Sequence, residues 1–185
     1  LKNKKNSFYD FIYIANYLCK QGITSKDKLI IWGRSAGGLL IGAVLNMIPN
    51  ICKVAILGVP FISPFLTMSS KKNPLGFESH SEFGNPLNDT NGDYIMSYSP
   101  YQNIKKDGDY PHMFIYSNIN DTLVPYTEPY MYYQYLMNHV DVYKTKQKNL
   151  YLHIEDKFGH SQGSSLKDKQ SQYAILFTFI EKYIS

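Results

Sequence analysis

The feature that most constrains this chain is the pentapeptide Gly-Arg-Ser-Ala-Gly at residues 33–37, which lies between two apolar runs. The first run covers residues 29–32, and the second, rich in small residues, continues to about Pro49. A strand that passes through G-x-S-x-G directly into a helix forms a nucleophile elbow, which exposes the serine hydroxyl at the sheet edge. The pattern predicts Ser35 as a nucleophile and the N–H of Ala36, at the helix start, as an oxyanion donor.

The two glycines of the motif have a predicted steric role. Gly33 and Gly37 leave room where side chains would block so tight a turn. The simpler alternative is an ordinary strand-to-helix turn in which Ser35 only caps the helix.

The composition is typical of one globular domain, because 44% of the 185 residues are hydrophobic and 18% are charged. The net charge of +4 comes from scattered lysines without a long basic run, so no nucleic-acid partner is expected. No apolar run approaches the length of about 18 residues that crosses a bilayer, so no membrane partner is expected either. Since the chain starts with Leu1, we expect it to be part of a longer protein.

The two cysteines, Cys19 and Cys52, lie in apolar stretches and are predicted to be buried free thiols. Free thiols are typical of a reducing compartment, so a cytoplasmic location is expected.

Apolar runs and turn signals predict an α/β fold with a mostly parallel sheet flanked by helices. Residues 61–111 are predicted to be irregular and to line a site. A first helix is expected from a Ser7 cap to about residue 21, and a closing helix over residues 169–183. The other predicted elements are strands at 29–32, 53–59, 112–117 and 150–154, and helices at 36–49 and 128–138. In the closing helix, the residues expected to face inward are Ala174, Ile175, Phe177, Thr178 and Phe179.

Three polar residues follow the ends of successive predicted strands, namely Ser35, Asp121 and His160. Parallel α/β sheets place their sites at this edge. A serine hydroxyl becomes a good nucleophile when an imidazole takes its proton, and a carboxylate orients that imidazole. The chain order Ser, Asp, His is that of the α/β-hydrolases.

His160 is preferred among the five histidines because it lies in a glycine-flanked loop directly after the last strand. The remaining candidates lie in predicted strands, at a helix end or in the irregular segment: His80, His112, His139 and His153. Asp156 competes with Asp121 for the role of the acid. Asp121 is favoured because it follows the strand between those of the nucleophile and the histidine.

Seven spaced motifs carry a resemblance over nearly the whole chain. They are residues 33–46, 58–61, 82–86, 98–101 and 110–112, Asp121 with Glu128-Pro129, and Gly159-His160. Together they resemble the catalytic domain of the prolyl oligopeptidase family, and within it the oligopeptidase B branch.

The resemblance implies an α/β-hydrolase fold that is incomplete at its N-terminal side. Residues 1–185 would be the C-terminal part of a catalytic domain, and the first strands and an N-terminal β-propeller would lie outside this chain. It implies Ser35 as nucleophile, Asp121 as orienting acid and His160 as general base. The substrates would be short peptides, and no metal or organic cofactor is expected.

The chain departs from the family pattern at positions linked to specificity. The paired glutamates that the branch uses for basic substrates fall on Ser79 and Ser81, while Glu82 is retained and Glu78 is offset by one. Glu82 and Glu78 are therefore candidate substrate-binding residues, with solvated loop carboxylates as the alternative. The tyrosine that supplies the branch's other oxyanion donor lies upstream of Leu1, and the arginine of the prolyl branch is replaced by Leu123.

The leading hypothesis is a serine peptidase that forms an acyl-enzyme and cleaves after basic residues. One alternative keeps the same three residues in an esterase or lipase. The other is a catalytically silent fragment or interaction module, which is suggested by the missing first strands.

Overall fold

A four-stranded parallel sheet forms the centre of the molecule. The computed structural model describes residues 2–70, 79–161 and 165–184. The strands are β1 (Ile30–Arg34), β2 (Val54–Gly58), β3 (His112–Asn118) and β4 (Leu150–Glu155), in the spatial order β1-β2-β3-β4. All neighbouring pairs are parallel, and Ile56 of β2 aligns with Trp32 of β1 and Phe114 of β3. The predicted parallel sheet is confirmed.

Helices lie between successive strands, as the crossovers of parallel pairing require, and also before β1 and after β4. They are α1 (Lys4–Lys20), α2 (Ala36–Met47), α3 (Pro64–Ser69), α4 (His80–Phe83), α5 (Asp89–Met96), a 3₁₀ turn (Pro100–Asn103), α6 (Thr127–His139), α7 (Asp141–Lys144) and α8 (Leu166–Ile184).

Both faces of the two central strands are covered, which explains why β2 is apolar at every position. Successive side chains of a strand point to opposite faces. Ala55 and Leu57 accordingly pack in the larger core with α1, α2 and α6. Val54 and Ile56 pack on the other face against Leu176 and its neighbours on α8.

Two predicted elements differ from the structure near the site. The first helix begins at Lys4, so Ser7 lies inside α1 and does not cap it. The segment from 61 to 111 was predicted to be irregular, but its described part contains three short helices and a 3₁₀ turn. Each of these is held by contacts to the rest of the fold, because such short helices are not stable alone.

The inward face of α8 also differs from the prediction. Leu176 and Phe179 are buried, and Ile180 and Tyr183 pack beside them. Of the residues expected to face inward, Ile175 is 43% exposed and Phe177 is 54% exposed. Ala174 and Thr178 are exposed as well, so Phe179 alone was assigned correctly.

Within residues 2–70, 79–161 and 165–184, no helix combines the length and the apolar character needed to cross a bilayer.

The two glycines of the pentapeptide, Gly33 and Gly37, have different surroundings. A Cβ on Gly33 would lie 2.1 Å from the carbonyl oxygen of Gly37 and 2.6 Å from Cγ1 of Ile41. A Cβ on Gly37 would have nothing within 4 Å among the described residues. The steric prediction is therefore right for Gly33 and wrong for Gly37.

We expect Gly33→Ala to destabilise the fold by about 1–3 kcal/mol, because the new methyl group overlaps backbone that cannot move away. Gly37→Ala is the matched control and should be neutral or slightly stabilising, since alanine is the better helix former. Thermal unfolding of the full-length protein measures both. Equal melting temperatures for the two variants would contradict the steric argument.

Candidate active site

The turn at Ser35 has the backbone geometry of a nucleophile elbow. Ser35 has φ 55° and ψ −119°, a conformation that a residue with a side chain rarely adopts. Its N–H donates to the carbonyl of Gly58 at 2.9 Å, and its own carbonyl accepts from the N–H of Phe61 at 3.1 Å and of Gly38 at 2.9 Å. These bonds hold the side chain of Ser35 at the carboxyl edge of the sheet.

The first residue of α2 is Ala36, which is exposed beside Ser35. The first N–H groups of a helix have no acceptor within that helix, so the Ala36 N–H is free to bind a developing negative charge.

Ser35, His160 and Asp121 form a continuous chain of hydrogen bonds. Nε2 of His160 lies 3.0 Å from Oγ of Ser35, and Nδ1 lies 2.8 Å from Oδ2 of Asp121. A carboxylate only accepts, so Nδ1 carries the proton and donates to Asp121. Nε2 is then the acceptor for the serine hydroxyl. The three side chains, which follow β1, β3 and β4, are thus brought together in the geometry of a nucleophile, a base and an orienting acid.

Asp121 is fixed by its own loop. Its side chain is fully buried, and Oδ1 accepts from the N–H groups of Leu123 at 2.9 Å and Val124 at 2.8 Å. The competing residue, Asp156, is exposed. The structure therefore places Asp121, and not Asp156, against the imidazole.

The loop that carries His160 is held by side chains for which the sequence predicts no role. Arg34, the second residue of the pentapeptide, donates through Nη2 to the carbonyl of His160. Asn118 donates through Nδ2 to the carbonyl of Gly159 at 2.6 Å. Asn120 donates in the same way to the carbonyl of Asp156 at 2.6 Å. The one available signal is position, since Arg34 adjoins the serine and the two asparagines lie three residues and one residue before Asp121.

A second histidine illustrates the difference between a structural and a reactive imidazole. His112 is buried at the start of β3, and its Nδ1 accepts from the N–H of Asn149 at 3.1 Å. Burial lowers its pKa to about 4, with nearby lysines adding to the effect. It remains neutral near pH 7 and serves packing, as expected for a strand histidine.

Of the two glutamates predicted to bind substrate, the structure describes Glu82. Glu82 lies in α4, and its side chain is 61% exposed and paired with Lys4 at 2.7 Å. The next residue, Phe83, packs edge-on against Phe61, which borders the elbow. Glu78 lies outside the described residues.

The described ranges hold no group of three or more His, Cys, Asp or Glu side chains that could bind a metal ion.

The parallel sheet and the elbow define an α/β-hydrolase fold. Comparisons with known proteins identify a family within this fold. The model of the prolyl oligopeptidase family matches residues 1–185. The chain is 44% identical to dipeptidyl aminopeptidase BI of Pseudoxanthomonas mexicana over 71% of this chain and 18% of that protein. It is 38% identical to protease 2 of Moraxella lacunata over 95% of this chain and 25% of that protein.

A solved structure gives the same result. Oligopeptidase B from Leishmania major superposes with a TM-score of 0.93 at 34% identity, covering 100% of this chain and 25% of that one. This chain belongs to the prolyl oligopeptidase family, and the predicted α/β-hydrolase fold is confirmed. It spans 18% and 25% of the length of the two relatives named above.

We expect Arg34→Ala to slow the reaction of Ser35 with a fluorophosphonate probe by about tenfold or more, since one hydrogen bond of a charged donor to the histidine loop is lost. The measurement is the second-order rate constant of labelling in the full-length protein. Lys26→Ala, which removes an exposed cation from the turn before β1, is the control. A wild-type rate in Arg34→Ala would show that the loop keeps its position without this contact.

Proposed function

We propose that this chain is the catalytic part of a serine peptidase that hydrolyses short peptides through an acyl-enzyme. The observation that carries the proposal is the hydrogen-bonded chain from Ser35 through His160 to Asp121, with distances of 3.0 Å and 2.8 Å. Membership of the prolyl oligopeptidase family supports a peptide as the substrate.

In the acylation step, Nε2 of His160 takes the proton of the Ser35 hydroxyl while Oγ attacks the peptide carbonyl carbon. The carbonyl oxygen becomes negatively charged and accepts a hydrogen bond from the Ala36 N–H. The imidazolium is stabilised by Asp121. It then donates its proton to the leaving amine, the C–N bond breaks, and an ester to Ser35 remains.

In the deacylation step, water replaces the departed amine. His160 takes a proton from the water as its oxygen attacks the ester carbonyl, and the second tetrahedral intermediate uses the same Ala36 N–H. Collapse of this intermediate returns the proton to Oγ of Ser35 and releases the carboxylic acid. None of these steps uses a metal or an organic cofactor.

The proposal includes the wider setting of the chain. Residues 1–185 would form part of the catalytic domain of a longer protein and would pack against an N-terminal β-propeller, which restricts substrates to short peptides. A cytoplasmic location is part of the same proposal, and the free thiols of Cys19 and Cys52 support it.

We expect Ser35→Ala to abolish both fluorophosphonate labelling and peptide hydrolysis, because no other hydroxyl among the described residues is paired with His160. Labelling and turnover of the full-length protein are measured on a panel of matched peptide and ester substrates. Ser171→Ala, a change on the exposed face of α8, should leave both unchanged. Labelling that survives in Ser35→Ala would contradict the nucleophile assignment, and turnover of esters alone would favour the esterase alternative.

Preference for basic residues is proposed to depend on Glu82. Because this carboxylate is exposed and already paired with Lys4, a substrate cation must compete for it. Exposed ion pairs are worth about 0.2–1 kcal/mol, so we expect a preference of about twofold to fivefold. A shielded carboxylate would give a much larger preference.

We expect Glu82→Gln to remove this preference and Lys4→Ala to strengthen it, since the second change frees the carboxylate. The measurement is kcat/KM on matched substrates that end in Arg, Pro and Phe. Glu181→Gln, on α8, is the control. An Arg preference that both variants leave unchanged would exclude Glu82 as the specificity carboxylate.

A further inference from the structure

One buried carboxylate close to the site has no part in the proposed mechanism. Glu128 lies in the first turn of α6 and is 5% exposed. Its Oε2 accepts from the backbone N–H of Ile62 at 3.0 Å and of Ser63 at 2.9 Å. Its Oε1 accepts from the hydroxyl of Thr67. A carboxylate is costly to bury, so Glu128 needs these three hydrogen bonds to stay in this buried position.

The backbone that Glu128 binds continues directly from the elbow. Phe61 donates its N–H to the carbonyl of Ser35 at 3.1 Å, and Ile62 and Ser63 are the next two residues. Ile62 is fully buried and Ser63 is 1% exposed, so water cannot replace the carboxylate as their acceptor. The position of this backbone beside Ser35 therefore depends on Glu128.

The same backbone has a strained residue at its start. Val59 has φ 36° and is fully buried, and its N–H donates to the carbonyl of Tyr116 at 2.7 Å. A β-branched residue at positive φ is unfavourable and persists only where the surroundings fix it. The hydrogen bond of Val59 fixes one side of residues 59–67, and the carboxylate of Glu128 fixes the other.

On its own side of the contact, Glu128 is close in the chain to the orienting acid, Asp121. The loop of Asp121, in which Oδ1 of Asp121 accepts from Leu123 and Val124, leads directly into the first turn of α6, where Glu128 lies. The N–H of Glu128 donates to the carbonyl of Pro125 at 3.0 Å. A displacement of Glu128 is therefore transmitted to the loop that holds the acid.

We propose that Glu128 is a positioning residue, which ties residues 59–67 beside the nucleophile to the loop of Asp121. The inference rests on the proposed peptidase function for its effect on turnover. The contact itself can be tested without that function.

Ionisation of Glu128 provides a specific signature. Burial raises its pKa, the N–H groups of Ser63 and Ile62 lower it, and the negative charge of Asp121 raises it, with a net pKa of about 7. The third contact, the Thr67 hydroxyl, does not titrate near this pH. Glu128 is thus neutral at pH 5.5 and ionised at pH 8.5. Because the raised pKa means that the buried site favours the neutral form, opening of the contact to water becomes easier as the pH rises through about 7.

The first test compares Glu128→Gln and Glu128→Ala with the wild type in the full-length protein. A glutamine oxygen can still accept from Ile62 and Ser63 while its amide faces Thr67, so this variant resembles the neutral carboxyl group. At pH 5.5 we expect kcat/KM per labelled Ser35 to stay within about twofold of wild type in Glu128→Gln and to fall by about a hundredfold in Glu128→Ala. Glu181→Ala is the control for a glutamate lost from an exposed helix face.

The pH profile separates positioning from simple stability. The ratio of kcat/KM between wild type and Glu128→Gln should be near one at pH 5.5 and fall through about pH 7, because only the wild type carries an ionisable group at position 128. Dividing by the number of labelled sites removes any loss of folded protein. A ratio that does not change with pH, or wild-type kcat/KM in Glu128→Ala, would overturn the inference.

The second test is amide hydrogen exchange, which does not depend on catalysis. We expect Glu128→Ala to increase the exchange rate at Ile62 and Ser63 by about tenfold or more, with Glu128→Gln close to wild type. If Glu128→Ala does not fold, Thr67→Val removes one donor and should give a smaller increase. Unchanged exchange would overturn the contact. A wild type that is neither labelled nor active would instead overturn the proposed function alone.

Discussion

The turn at Ser35 is the constraint on which the rest of the site depends. Its positive φ costs about 1–3 kcal/mol, and the surrounding backbone compensates for it. The end of β2 supplies the acceptor at Gly58, the segment after it supplies the donor at Phe61, and Gly33 leaves the space for the turn. The elbow is thus a property of two neighbouring strands and the chain that follows each, and the pentapeptide alone does not produce it.

The strand order places Ser35 and His160 after strands at opposite edges of the sheet, so the loops must span the distance between them. Ser35 follows β1 and His160 follows β4, and strands are spaced by about 4.8 Å, so the two strands are about 14 Å apart in the sheet. The imidazole nevertheless lies 3.0 Å from the serine hydroxyl. The loops after β3 and β4 therefore extend back over the sheet edge, and Arg34, Asn118 and Asn120 fix them there.

The sheet and the triad positions could be predicted because each has a local signal. Apolar runs mark the strands, and Ser35, Asp121 and His160 follow strand ends with few competitors. The helices between residues 61 and 111 have no such signal, since tertiary contacts stabilise them. The roles of Arg34 and Glu128 could not be predicted for a related reason, because the backbone atoms that they bind are far away in the sequence. The face of α8 was assigned one position away from the true stripe of Leu176, Phe179, Ile180 and Tyr183.

The way in which the histidine loop is held has a consequence for its evolution. Arg34, Asn118 and Asn120 all bind carbonyl oxygens of that loop, and every residue type carries the same carbonyl group. These hydrogen bonds therefore do not depend on which side chains residues 156–159 carry. Substitutions at these positions can therefore change the surface beside the active site that a substrate contacts, while the His160 imidazole stays within hydrogen-bond distance of Ser35.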